Sequence, residues 1–108
     1  MELEEIYKRL CTLGIPAAYM IFKKPQTPPF LIYKEHGADI RGADNYNLLR
    51  DTGVLIELYT AKKQPELEHQ LEELFRDTEL EKSTDLYIEN EKLLKIEYTF
   101  STITKIGG

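Results

Sequence analysis

Apolar residues recur at the spacing of a helix face in two segments of the chain. The first segment, residues 2–13, carries its apolar stripe at Leu3, Ile6, Tyr7 and Leu10. The second segment begins near Pro65 and carries its stripe at Leu67, Leu71, Leu74 and Phe75. Gly14 suits the left-handed position that ends many helices, and Pro65 suits a first helical turn. This pattern predicts two amphipathic helices.

Five other segments have the composition or the alternation of strands. They are residues 17–22, 30–34, 46–60, 85–89 and the run that begins at residue 92. The last run alternates Leu94, Ile96 and Tyr98 with polar residues, which is typical of a half-buried strand. A polar stretch rich in glycine and aspartate, residues 37–45, predicts a loop between the second and third strands.

The order of these elements, α-β-β-β-α-β-β, predicts the fold class. Because adjacent strands are joined by turns, we expect an α+β fold with a mainly antiparallel sheet of four to five strands and two helices packed on one face. The length of 108 residues matches one domain, residues 1–108. The predicted core consists of Leu10, Ile56, Leu58, Leu71, Leu74, Phe75, Ile96 and Tyr98.

The third predicted strand is long for a domain of this size. At about 3.3 Å per residue, residues 46–60 in one straight strand would reach ~50 Å. A 100-residue domain has a diameter of roughly 35 Å. The strand must therefore bend, for example at a bulge near Gly53, or protrude towards a neighbouring subunit.

The net charge of -5 is unevenly distributed, because residues 64–91 hold ten acids and two bases. A chain with few basic runs and a pI near 5.1 is not expected to bind nucleic acid directly. The second predicted helix carries four candidate residues for an acidic face, Glu66, Glu68, Glu72 and Glu73. Such a face is either a solvated helix surface or a surface for a partner.

The inventory of chemically active residues is small. The chain has two histidines and one cysteine, without the spacings HxxxH, HExxH or CxxC. We therefore expect no catalytic, metal or cofactor site, and no enzyme activity. Cys11 lies at the edge of the first apolar stripe and is predicted to be a small buried residue. The acidic amino terminus and the lack of an apolar run of ~20 residues favour a cytoplasmic protein without membrane association.

Four motifs carry a resemblance over nearly the whole chain. They are PPFLIY at residues 28–33, VLIELYT at residues 54–60, PELE at residues 65–68 and EKLLKI at residues 91–96. In their order and spacing they resemble the tail terminator, or tail-completion, proteins of long-tailed phages and of prophages in Gram-positive bacteria. These motifs mark structural elements rather than a reaction.

The resemblance implies a structural protein of the virion tail or neck, assembled in the cytoplasm of the bacterial host. Its subunits would form a ring, expected to be a hexamer, that ends polymerisation of the tail tube and joins it to the head-side connector. Contact with DNA would be limited to passage through the lumen, and an acidic lumen would let DNA slide because cationic contacts hold a duplex. The candidate subunit-interface loop, expected to become ordered on assembly, contains Gly37, Asp39, Arg41, Gly42, Asp44, Asn45 and Tyr46.

Two alternatives stay open at this point. The first is a head-closure or adaptor protein of the same neck. The second is a small protein-binding module, unrelated to phages, that uses a sheet edge.

Overall fold

Within residues 1–43 and 47–106, which the computed structural model describes, the chain forms two helices and six strands. The helices are α1 (Leu3–Cys11) and α2 (Pro65–Leu74). The strands are β1 (Ala17–Tyr19), β2 (Phe30–Ala43), β3 (Asn47–Thr60), β4 (Glu81–Lys82), β5 (Leu86–Ile88) and β6 (Leu93–Ile106). None of the helices in these ranges combines the length and the apolar composition needed to span a bilayer.

The strands form one sheet in the order β1-β2-β3-β6-β4, and β5 also pairs with β6. All pairs are antiparallel except β1 with β2. The predicted α+β class with a mainly antiparallel sheet is confirmed, and the two-residue strand β4 adds to the predicted elements. Both helices pack on one face of the sheet, because apolar residues of α1 and α2 share a core with alternate positions of β2, β3 and β6.

The core contains seven of the eight predicted residues in fully buried form. Leu74 is the exception, since it is half-buried at the end of α2 and only packs against the core from outside. The prediction for Cys11 is wrong, because this thiol is exposed. Helix geometry explains the error: Cys11 lies about 100° around α1 from Leu10, which is completely buried.

The predicted loop over residues 37–45 is wrong for its first part, because β2 continues to Ala43. Its ladder with β3 breaks between Glu35 and Ala38 and then resumes as far as Ala43, which pairs with Asn47. Gly37 adopts the left-handed φ of +81° at this bulge. Glycine and aspartate can remain in a strand here because backbone hydrogen bonds, rather than side chains, form the ladder. Asp44, Asn45 and Tyr46 lie outside the described residues.

A bulge in β2 depends on a close backbone approach from β3. Gly53 lies opposite the bulge, and a Cβ at this position would be 2.6 Å from the carbonyl oxygen of His36. Only a residue without a Cβ fits there without moving the backbone. The irregularity is therefore in β2, while β3 pairs with β6 without a break from Leu48 to Thr60.

The far ends of the three long strands protrude from the domain, which is one of the two outcomes that the length of the third predicted strand allows. Beyond the helices, residues 38–43 of β2, 47–52 of β3 and 101–106 of β6 continue as a three-stranded sheet, called the arm below. The molecule measures 51 × 27 × 24 Å, so the arm gives it a long axis about twice its other dimensions. The apolar core ends at Val54 and Phe100, before the arm begins.

Candidate assembly interface

The arm has two strand edges without a partner. On one side, β1 pairs with β2 only at residues 31–33. On the other side, β4 and β5 pair with β6 only at residues 93–95 and 98–99. Among the described residues, no strand therefore pairs with the outer side of β2 over residues 34–43 or of β6 over residues 100–106. Exposed edges of this length offer rows of backbone donors and acceptors to another chain.

Among the arm residues whose side chains the structure describes, three large apolar side chains are exposed. Ile40 is 61% exposed, Leu49 is 41% exposed and Ile103 is 62% exposed. Ile40 shares one face of the arm with its cross-strand neighbour Arg50, whereas Leu49 and Ile103 lie on the other face. Both faces therefore present apolar surface beside an open edge, which is the combination expected where another chain packs.

The predicted interface loop coincides in part with this arm. Gly37 lies at the bulge, and Asp39, Arg41 and Gly42 follow it along β2. The sequence did not identify the exposed apolar residues of the arm, Ile40, Leu49 and Ile103, as interface candidates. Alternation of polar and apolar residues alone does not show which face of a strand lacks a covering helix. The length of the third strand was the signal that pointed to a protruding segment.

A groove of about 1030 Å³ runs beside the open edge of β6. Its acidic lining residues include Glu5, Asp77, Glu79 and Glu81, and its basic ones include Arg9 and His36. Arg9 is already engaged, since it donates to both carboxylate oxygens of Asp77 at 2.7 and 3.0 Å. These hydrogen bonds hold the pKa of Asp77 below its usual value. Glu79 and Glu81 are exposed and have no ion pair within the described part of the chain.

The predicted acidic face of α2 is divided by the fold. The prediction is wrong for Glu68, which is only 2% exposed. Its Oε1 atom accepts a hydrogen bond from Lys63 at 2.9 Å and lies 2.8 Å from the ammonium of Lys82. Lys63 also binds Asp85 at 2.8 Å. Two lysines from outside the helix therefore compensate a carboxylate that helical periodicity had placed in solvent.

Glu72 belongs to the same ionic cluster as Glu68, Lys63 and Lys82. Its carboxylate accepts hydrogen bonds from Lys82 at 2.9 Å and from the Tyr98 hydroxyl at 2.7 Å. Burial alone would raise the pKa of Glu72, but these two donors lower it below its usual value. Burial and the hydrogen bond to Glu72 raise the pKa of Tyr98. The cluster joins β4 to α2 and keeps β4 against β6.

The remaining acidic residues of the helix are exposed. Glu66 lies near the start of α2, and Glu73 forms an ion pair with Arg76 at 2.8 Å. An acidic surface on α2 therefore consists of Glu66, Glu73 and part of Glu72. That this surface faces a lumen stays a prediction.

Exposed apolar side chains also lie at both outer edges of the sheet. At the β1 side they are Tyr19, Met20 and Ile21, and at the β5 side they are Leu86 and Tyr87. Met20 has a left-handed φ of 64°, which costs a residue with a Cβ about 1–2 kcal/mol. Its N–H donates to the carbonyl of Tyr33 at 2.9 Å, and β1 ends immediately before it. The fold thus holds an exposed methionine in an unfavourable backbone conformation.

Side chains suited to metal binding do not converge in the part of the chain that the structure describes. No group of three or more histidine, cysteine, aspartate or glutamate residues there is arranged to hold an ion. The features that the described residues do bring together are edges, apolar side chains and opposite charges.

The chain resembles known proteins in fold rather than in sequence. No protein-family model matches the chain, and no curated protein sequence matches it significantly. Among solved structures, the fold is similar to a chain in the structure described as "Virion of native gene transfer agent (GTA) particle". The two chains share 11% identity with a TM-score of 0.59, and the match covers 94% of this chain and 92% of the other. At this identity the likeness is one of fold.

Proposed function

We propose that this protein is a structural component of a phage-like particle. The observation that carries the proposal is the arm, a three-stranded extension with two open edges and exposed Ile40, Leu49 and Ile103. A monomer gains nothing from extending apolar surface and unpaired strands into water, whereas an assembly buries them. The fold-level similarity to a chain of a gene transfer agent virion supports the same class of protein.

Within that class, we propose the role of tail terminator. Copies of the chain would form a ring, expected to be a hexamer, on the end of the tail tube. The ring would stop polymerisation of the tube and provide the junction to the head-side connector, in a tail or neck assembled in the host cytoplasm. The resemblance of the motifs at residues 28–33, 54–60, 65–68 and 91–96 to tail-completion proteins supports this finer assignment.

The proposed role requires binding and geometry rather than a chemical reaction. We therefore propose that the protein is not an enzyme and uses no cofactor. Glu66, which is exposed and has no ion pair among the described residues, would be suitable for the wall of a DNA passage, because it offers no cation to retain the phosphates.

Deletion of the gene from the genome that encodes it tests the proposal. Electron microscopy of the resulting lysate should show tails of uncontrolled length that are not attached to full heads. The same deletion complemented by the wild-type gene is the control, and it should restore tails of one length joined to heads. Tails of normal length joined to heads in the deletion strain would refute the terminator role.

A third outcome separates the nearest alternative. If the deletion produces tails of normal length that lie free of filled heads, the protein acts at head closure or as an adaptor in the neck. That result would retain the virion role and replace the terminator role.

A further inference from the structure

The two outer edges of the sheet differ in charge. The β1 edge, defined as residues 17–24, presents Met20 and Ile21 with Lys23 and Lys24. No acid occurs between residues 13 and 34 of the sequence. Both lysines are exposed, and within the described ranges neither has an ion-pair partner. This edge therefore combines apolar surface with uncompensated positive charge.

The opposite edge has the complementary character. The β5 edge, defined as residues 79–91, presents Leu86 and Tyr87, each 54% exposed. Its exposed carboxylates without an ion pair among the described residues are Glu79, Glu81, Glu89 and Glu91. The lysine of this segment, Lys82, is occupied by Glu68 and Glu72. The edge therefore retains uncompensated negative charge around an apolar pair.

These edges cannot meet within one molecule, because β2, β3 and β6 separate them in the sheet. Two copies of the same edge would bring like charges together, which opposes a two-fold symmetric contact. A contact between unlike edges pairs lysine with glutamate and apolar with apolar side chains. Such a head-to-tail contact leaves one free edge at each end, so further copies can add until a ring closes.

We infer that the β1 edge of one copy binds the β5 edge of the next copy. This inference rests on the proposed ring, and it specifies which surfaces form it. Ile21, which is 75% exposed, packs against Leu86 and Tyr87 of the neighbour. Lys23 and Lys24 approach the glutamates that flank this pair. The open edge of β2 in the arm lies on the same side of the sheet as the β1 edge, and the open edge of β6 lies on the same side as the β5 edge, so each faces the same neighbour as that contact.

Engineered cysteines test the contact directly. Cys11 is exposed, so all variants carry Cys11→Ser. One chain then carries Ile21→Cys and another carries Leu86→Cys, and the purified chains are oxidised at high protein concentration, separately and mixed. The mixture should give a disulfide-linked dimer at least tenfold more abundant than either chain alone. A chain that carries both cysteines should give a ladder of larger products.

A matched control uses Glu66→Cys, an exposed position on α2, in place of Leu86→Cys. Mixed with the Ile21→Cys chain, it should give only the background of random collisions. Charge reversal by Lys23→Glu and Lys24→Glu in the Ile21→Cys chain should lower cross-linking severalfold. Glu79→Lys and Glu81→Lys in the partner chain should restore it.

Three results would overturn the inference. They are a mixture no more reactive than the Glu66→Cys control, efficient dimers from one single-cysteine chain alone, or charge reversal without effect. Because the cross-links form in the purified chain, the result is independent of particle morphology. Loss of the contact and failure of the virion role can therefore be told apart by comparison with the deletion strain.

Discussion

Glu68 is a carboxylate that folding removes almost completely from water. Two cations, Lys63 and Lys82, approach its Oε1 atom within 3 Å. A buried charge of this kind contributes little net stability while paired, yet losing its partners leaves a large desolvation cost. Glu68 can therefore stay buried in α2 only while β4 holds Lys82 beside it.

Replacing Lys82 by methionine should expose this dependence. We expect Lys82→Met to lower the free energy of unfolding by about 1–3 kcal/mol, less than the roughly 3–5 kcal/mol for breaking an isolated buried pair, because Lys63 remains. Urea unfolding measures the change. Lys62→Met, at an exposed lysine nearby, is the control and should cost under ~0.5 kcal/mol. Equal losses for the two variants would mean that Glu68 does not depend on Lys82.

At the scale of elements, the bulge in β2 allows the arm to continue from the domain. Gly53 is the position in β3 that accommodates it, since the carbonyl of His36 occupies the space of a Cβ. The bulge takes up two residues of β2, His36 and Gly37, against one residue of β3. Pairing then resumes with the same alternation of faces, so Ala38 and Thr52 continue the side that Glu35 and Val54 occupy before the bulge.

Gly53→Ala should force the backbone of the bulge to move. We expect a loss of about 1–3 kcal/mol in the free energy of unfolding, as for other insertions into filled space. The control is Ser101→Ala at the exposed residue that pairs with Gly53 across β6, where truncation removes no packed group. Urea melts that are the same for both variants would show that the close approach to His36 is absent in solution.

The sequence predicted the elements better than the contacts between them. Both helices and the closing strand follow from local periodicity, which needs no knowledge of partners. The arm does not follow from local periodicity. Residues 37–43 become a strand only through pairing with β3, and their composition alone favours a loop. The environment of Glu68 was missed for a similar reason. A helical wheel gives its direction relative to the apolar stripe, but not the lysine that β4 brings over it.

At the scale of the whole molecule, surface that no core covers concentrates along the arm and at the two outer edges of the sheet. The domain end has a covered sheet and a closed ionic cluster, and the arm end has open strands. Because of this asymmetry, we propose that the arm is an assembly surface.

The claim requires a variant that changes the arm without unfolding it. Ile40→Glu places a carboxylate beside its cross-strand neighbour Arg50, and Ile103→Lys places an ammonium beside Asp51. Arg50 already lies 3.4 Å from Glu35, and a cross-strand pair of opposite charges contributes only roughly 0.2–1 kcal/mol, so the double variant should unfold within ~1 kcal/mol of wild type. The control is the conservative double variant Ile40→Val with Ile103→Val.

The most direct test is tail length and head attachment, measured by electron microscopy in the deletion strain complemented by each variant. We predict that wild type and the valine variant restore tails of one length joined to heads. The Ile40→Glu, Ile103→Lys variant should be folded and present at wild-type level, yet leave tails long and unattached. Full restoration by this variant would contradict the claim that the arm is the surface through which the protein assembles.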